Sequence, residues 1–261
     1  MELQPDAPPA PVPSDSRDWS ELPLDALTLV FARLGAVDVL MGAGLVCHSW
    51  LEAAKAPELW RKVEMDCPWW GAGDFEFDYP WNAMKDLCAM AKVAVDRSNG
   101  KLEVFLGETF VTDEILNYIG DRSPSLKGLE LVSCAEVTSQ GFTYLVNKCP
   151  LLEDIELSGC MDVGGDAIVA TDRACLRLRH LRLVCTEITN KELMAIVDIC
   201  PCLEYLSVVN CYDIVGDDAL RAKCAAIKTL ELPTPENSDE MSDSYDYTET
   251  CNDFDHEYDY F

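Results

Sequence analysis

Residues 151–160 read LLEDIELSGC, and their arrangement returns as LKGLELVSC at 126–134, LRHLRLVC at 178–185, CLEYLSVVNC at 202–211 and IKTLEL at 227–232. All share the spacing L-x-x-L-x-L, whose last Leu or Val falls at 131, 157, 183, 208 and 232, in steps of 24 to 26 residues. Alternate side chains of a strand face opposite sides, so the leucines share one face and the residues between them the other. A Val or Ile at 111, 137, 163, 188 and 214 then opens a stretch of helical spacing. Thr189 and Glu192 have the offset of a capping box, with Leu193, Ile196 and Val197 on one face; Phe142, Leu145 and Val146 are placed alike. A strand and helix repeating at this period stack into a solenoid, each unit covering the apolar face of the next.

Thirteen cysteines are an odd number for a disulfide framework, no Asn-x-Ser/Thr acceptor occurs, and MELQPDAPPAPVPSDS lacks the charged start and apolar run of a secretory signal. These features point to a reducing cytoplasm or nucleus. Cys134, Cys160, Cys185 and Cys211 each end a strand, while Cys149, Cys175, Cys200 and Cys224 each end a helix, so eight thiols read as small core residues. Cys200, Cys202, Cys211 and His180 could be drawn as a zinc set, but two close pairs are missing. Cys47 and His48 are adjacent, yet helix neighbours do not face each other. With no phosphate-cradling loop or nucleophile elbow, no enzyme, cofactor or metal is expected.

The order strand, Cys, Ile/Val-Thr, Cys-Pro over roughly 100–232 resembles the cysteine-containing leucine-rich repeat. The resemblance implies a curved solenoid with parallel strands on its concave side and helices on the convex side. The first repeat, KLEVFLGETFVTDEIL, fits loosely and leaves its register open.

Upstream, RDWSELPLDALTLVFARLGAVDVLMGAGLVCHSWLEAAKAPELW at 17–60 reads as three helices. Pro23 suits a first turn, helical spacing runs to Gly35, a second apolar stretch covers Val37 to Trp50, and a third carries Leu59 and Trp60. So small a module usually buries apolar surface on a partner. Leu22-Pro23, Asp25, Leu27, Val30-Phe31, Leu34, Val46-Cys47-x-x-Trp50 and Leu59-Trp60 closely resemble an F-box. The resemblance implies docking on a Skp-type adaptor through Leu22, Pro23, Leu27, Val30, Phe31, Leu34, Val46, Cys47 and Trp50. Through the adaptor come a cullin and a RING subunit, while the repeats hold a protein substrate. The chain would then be the non-catalytic receptor subunit of an SCF-type ubiquitin ligase. The alternative is a repeat scaffold or inhibitor that binds a protein without ubiquitylation.

The expected fold class is α/β: an N-terminal three-helix F-box followed by a short leucine-rich-repeat solenoid. The divisions are a Pro-rich lead at 1–16, the F-box at 17–64, an aromatic linker and capping helix at 65–100, repeats at 101–233 and an acidic tail at 234–261. Strand alternation puts Gly128, Asp154, His180, Tyr205 and Thr229 in one concave column and Glu130, Glu156, Arg182, Ser207 and Glu231 in the next. Candidate substrate contacts are Asp154, Glu156, His180, Arg182, Tyr205 and Ser207, led by Arg182 and Tyr205 because Arg and Tyr dominate binding hot spots. The net charge is -27, and residues 234–261 carry no Lys or Arg. Such a chain repels phosphate backbones, and no apolar run is long enough to span a membrane, so neither nucleic acid nor membrane is an expected partner.

Overall fold

The computed structural model describes residues 18–66, 81–170 and 176–233. Cys175, the Pro-rich lead, the acidic tail and the aromatic part of the linker with Trp69, Trp70, Phe75, Phe77 and Tyr79 lie outside the described residues. A short 3-10 turn, Trp19–Glu21, precedes α1 (Leu24–Phe31) and α2 (Ala36–Met41). The turn Ala43–Leu45 leads to α3 (His48–Ala53), and the turn Pro57–Trp60 to β1 (Lys62–Met65) and α4 (Trp81–Ser98). Strand and helix then alternate as β2 (Val104–Glu108), α5 (Asp113–Arg122), β3 (Gly128–Val132), α6 (Ser139–Lys148), β4 (Asp154–Ser158) and α7 (Gly165–Val169). The series continues through β5 (His180–Val184), α8 (Asn190–Ile199), β6 (Tyr205–Val209), α9 (Asp218–Lys223) and β7 (Thr229–Glu231).

The seven strands form one sheet in chain order, parallel at every step. Parallel neighbours need a crossover, and from β2 onward each crossover is a helix packed on the helix before it. One set of rows faces the helices: Val63, Phe105, Leu129, Ile155, Leu181 and Leu206, then Met65, Leu131, Leu157, Leu183 and Val208, all buried. Together with Val111, Val137, Val163, Ile188 and Ile214 these side chains make one continuous core.

The open register of the first repeat is resolved by pairing Val104 with Gly128 and Leu106 with Glu130. Phe105 then fills the first leucine position, and Gly107 leaves room at the second, where a Cβ would meet Val111 Cγ2 at 2.4 Å. Strand β1 follows the stretch 17–60 read as three helices and crosses the boundary expected at 64. Its Lys62 pairs with Val104 and its Met65 with Gly107, so the end of the helical module is the first strand of the sheet. The second apolar stretch, Val37 to Trp50, holds most of α2, a 3-10 turn and the start of α3. The break falls at Gly42, whose φ of -126° and ψ of -85° end α2, and Gly44 in the following turn is packed so closely that a Cβ there would lie 2.7 Å from the Val39 carbonyl oxygen.

Two columns organise the strand ends. Thr109, Ser133, Gly159, Cys185 and Asn210 all adopt positive φ, between 49 and 62°. The amides of the first four donate to Val132, Ser158, Val184 and Val209 carbonyls on the next repeat, at 2.7 to 3.0 Å. The following residues turn inward: Phe110, Cys134, Cys160, Thr186 and Cys211, all buried. The expected thiol column is therefore corrected at one repeat. Cys185 occupies the left-handed position and Thr186 the buried one, where its hydroxyl lies 3.4 Å from Cys211 Sγ. At the helix ends Ser123, Cys149, Cys200 and Cys224 are C-caps. The Cys149 thiol donates to the Ser123 carbonyl at 3.5 Å.

A third column precedes the strands: Arg61, Glu103, Lys127, Glu153, Arg179, Glu204 and Lys228, alternating in sign from one repeat to the next. Glu103 bridges Arg61 at 2.7 Å and Lys127 at 3.5 Å. Glu204 likewise bridges Arg179 at 3.0 Å and Lys228 at 2.7 Å. A slip by one repeat would set like charges side by side, so the ladder favours this stacking order.

Candidate functional site

Two surfaces have the character of docking sites. On the helical module, Leu27 and Phe31 stand one turn apart on α1 and are buried at 1% exposure each. Phe31 meets the Trp50 ring edge-on, centroids 5.5 Å apart, and Trp50 Nε1 donates to the Trp19 carbonyl at 3.0 Å. Ser49 Oγ donates to the Ser20 carbonyl at 3.0 Å, fastening the first turn to α3, and Cys47 Sγ lies 3.1 Å from Ser49 Oγ. Leu27 and Phe31, both expected to touch an adaptor, are corrected to core residues of the chain itself. Leu22, Cys47 and Trp50 are half-buried, whereas Pro23, Val30, Leu34 and Val46 are exposed.

The structure adds residues that the sequence motif did not single out. Trp19, Leu24, Leu29, Met41 and Leu45 are exposed, Leu29 and Leu45 most of all at 72% and 69%. Of the fourteen exposed large apolar side chains among the described residues, eight lie between 19 and 46. Monomeric proteins rarely leave this much apolar surface in so short a span, so the module is built for a partner. Their signal in the sequence was present but mixed, because an apolar helix residue does not state which face it occupies.

The inner side of the module is closed. Trp60 is 2% exposed, its Nε1 donates to the Ala54 carbonyl at 2.9 Å, and the Arg97 guanidinium lies 5.3 Å from its ring. Arg97 donates to the same carbonyl at 3.2 Å, and Lys101 bridges Glu58 at 2.8 Å. The module is thus joined to the solenoid by a buried indole, by charged pairs and by strand β1.

The second surface is the sheet face turned away from the helices. Its register assembles both columns read from the sequence: Gly128, Asp154, His180, Tyr205 and Thr229 are lateral neighbours, as are Glu130, Glu156, Arg182, Ser207 and Glu231. Pairing of β1 and β2 extends them with Lys62 and Val104, and with Glu64 and Leu106. His180 Nδ1 contacts Asp154 Oδ1, the His180 and Tyr205 rings meet edge-on at 6.1 Å, and Tyr205 Oη donates to Glu231 at 3.4 Å. One expected contact is corrected, and a second is partly covered. Ser207 is fully buried and donates its hydroxyl to Glu231 at 2.7 Å. Arg182 has only 14% of its side chain exposed and bridges Glu156 at 3.4 Å, so its charge is largely neutralised within the sheet. Burial, followed by the neighbouring Glu156 and Glu64 charges, pushes the Glu130 carboxyl up to about 7.

Cys200 caps a helix and is buried, Cys202 is exposed, and among the described residues no group of three metal-ligating side chains converges. Among them also, no helix is long and apolar enough to cross a membrane.

Comparison with known proteins bears on the helical module and the repeats. A sequence profile described as F-box-like matches residues 19–66. The F-box protein SKIP19 of Arabidopsis thaliana is 31% identical over 93% of this chain and 88% of its own length. F-box/LRR-repeat protein 9 of the same plant is 31% identical over 83% of this chain and 87% of its own. Arabidopsis F-box/LRR-repeat protein 23 is 34% identical over 83% of this chain, which spans 54% of that longer protein. A chain in the crystal structure of the yeast Rad7 and Elc1 complex aligns with 81% of this one and 54% of its own length, at 15% identity and a TM-score of 0.43. An F-box match at the helical module, a parallel repeat sheet behind it, and relatives similar along most of both chains together place this protein in the F-box/LRR-repeat family.

Proposed function

We propose that this chain is the substrate-recognition subunit of an SCF-type cullin-RING ubiquitin ligase. The helical module docks on a Skp-type adaptor, which brings the cullin and its RING subunit, and the concave sheet holds a protein substrate. The chain itself catalyses nothing; it raises the effective concentration of a substrate lysine beside the charged conjugating enzyme. Its buried thiols suit a reducing compartment, cytoplasmic or nuclear. The observation that carries this reading is the division of the module into a sealed inner side around Leu27, Phe31 and Trp60 and an outer side exposing Leu24, Leu29, Val30, Leu45 and Val46.

The test is co-purification. Replacing Leu29 and Leu45 by Glu is expected to abolish capture of the adaptor and cullin while the melting temperature moves by no more than about 2 °C, because exposed positions contribute little to stability. Undiminished capture by this variant would overturn the reading. Capture of a partner protein without any cullin would favour the scaffold alternative.

A further inference from the structure

We infer that the concave face docks a lysine- or arginine-bearing segment of a protein; this rests on the substrate-receptor reading above and names the chemistry of the substrate. The face carries Glu64, Glu108, Glu130, Asp154, Glu156 and Glu231 against Lys62 and Arg182. Both cations are already engaged: Lys62 bridges Glu64 at 2.5 Å and Arg182 bridges Glu156 at 3.4 Å. The remaining field is negative, which repels nucleic acid and attracts a cationic segment.

The geometry sharpens this. Glu130 and Glu156 are lateral partners on β3 and β4, and neighbouring strands lie only about 4.8 Å apart. Like charges opposite one another destabilise a sheet. A cation placed between them would relieve this repulsion. Beside the carboxylates stand Val104, Leu106 and Val132, all half-exposed. Aliphatic surface next to carboxylate is what a Lys or Arg side chain needs, since its stem packs while its head is paired. Tyr205, also half-exposed, adds a ring face for a guanidinium.

The raised Glu130 pKa gives the site a signature. Glu156, Glu64 and Glu108 push the carboxyl toward the protonated form and Arg182 pulls the other way, on top of burial. An arriving cation favours the ionised form, so binding near neutral pH releases a proton. A carboxylate in the ordinary range, already ionised near about pH 7, would bind a cation without such release.

The experiment uses the full chain purified with its adaptor and a fluorescein-labelled peptide of alternating Arg and Ala, with a Glu-for-Arg counterpart. Affinity is read by anisotropy and proton release by calorimetry in two buffers of different ionisation heat near about pH 7. The Arg peptide is expected to bind with proton release and the Glu peptide not to bind. Glu130→Gln is expected to weaken the Arg peptide about tenfold and to abolish the release. Glu64→Gln, on the exposed rim, is expected to weaken it about threefold with the release retained. Equal affinity for wild type and both variants, binding without proton release, or preference for the Glu peptide would each overturn the inference. Failure of the Arg peptide to bind while the adaptor co-purifies strikes this inference alone, whereas loss of the adaptor strikes the receptor reading.

Discussion

Single residues in this protein are fixed by their place in the repeat rather than by their neighbours in sequence. Cys185 shows it: VC in one repeat and SC in another look interchangeable, yet one cysteine takes the left-handed turn position and the other the buried pocket. A one-residue offset at the strand end decides, and Thr186 then occupies the pocket as a near-isostere with its own hydrogen bond. Burial pushes the Cys149 thiol up to about 12, so it stays protonated and unreactive in the folded chain. Glu130 offers the clearest test at this scale. Folding raises its pKa from the ordinary carboxylate range to about 7, so the folded chain holds the extra proton across that interval. The stabilisation linked to that proton is present at low pH and is lost as pH rises through about 7. Glu130→Gln is therefore expected to stabilise the chain by roughly 2 kcal/mol at about pH 8 and by little at about pH 4. Urea unfolding of both proteins at the two pH values measures it; an equal difference at both would refute the linkage.

Among the elements, β1 changes the architecture most. It is four residues long, and its pattern of two buried residues alternating with Lys62 and Glu64 is too short to stand out beside the helices before it. Only pairing with β2 makes it a strand. Through it and the buried Trp60, the helical module and the solenoid share a core. Full-length unfolding is accordingly expected to be one cooperative transition. Trp60→Ala, which removes the indole between Ala54 and Arg97, is expected to cost about 3–5 kcal/mol and to split the calorimetric trace into two. Trp60→Phe is expected to cost about 1 kcal/mol, because Arg97 still donates to the Ala54 carbonyl.

At the scale of the molecule, the same junction sets the distance and angle between the exposed leucines of the helical module and the sheet face turned away from the helices. Rigid placement matters for a receptor that acts by proximity, since effective concentration falls once the span is no longer fixed. Trp60→Ala, which loosens the junction itself between Ala54 and Arg97, would leave both surfaces in place. It is expected to preserve adaptor binding and peptide binding within about twofold while lowering the rate of substrate ubiquitylation about tenfold or more. Reconstituted ubiquitylation compared with the two binding assays checks this, and an unchanged rate would show that the junction serves stability alone.

The repeat was legible because stacking imposes one spacing on every unit: the L-x-x-L-x-L strands, the Thr189–Glu192 box and both concave columns follow from a period of 24 to 26 residues. The F-box resemblance was legible for the same reason, its residue types and offsets being local. Facing was not. Which helix residues turn to solvent, that Leu27 and Phe31 turn inward, that Ser207 is buried and that Arg182 is largely covered and paired all depend on what lies across the space, and a period does not contain that. The sequence alone determined the order of the units and the chemistry each presents. The tertiary structure decided which of those groups remain available to a partner, because exposure is a property of packed neighbours rather than of any segment by itself.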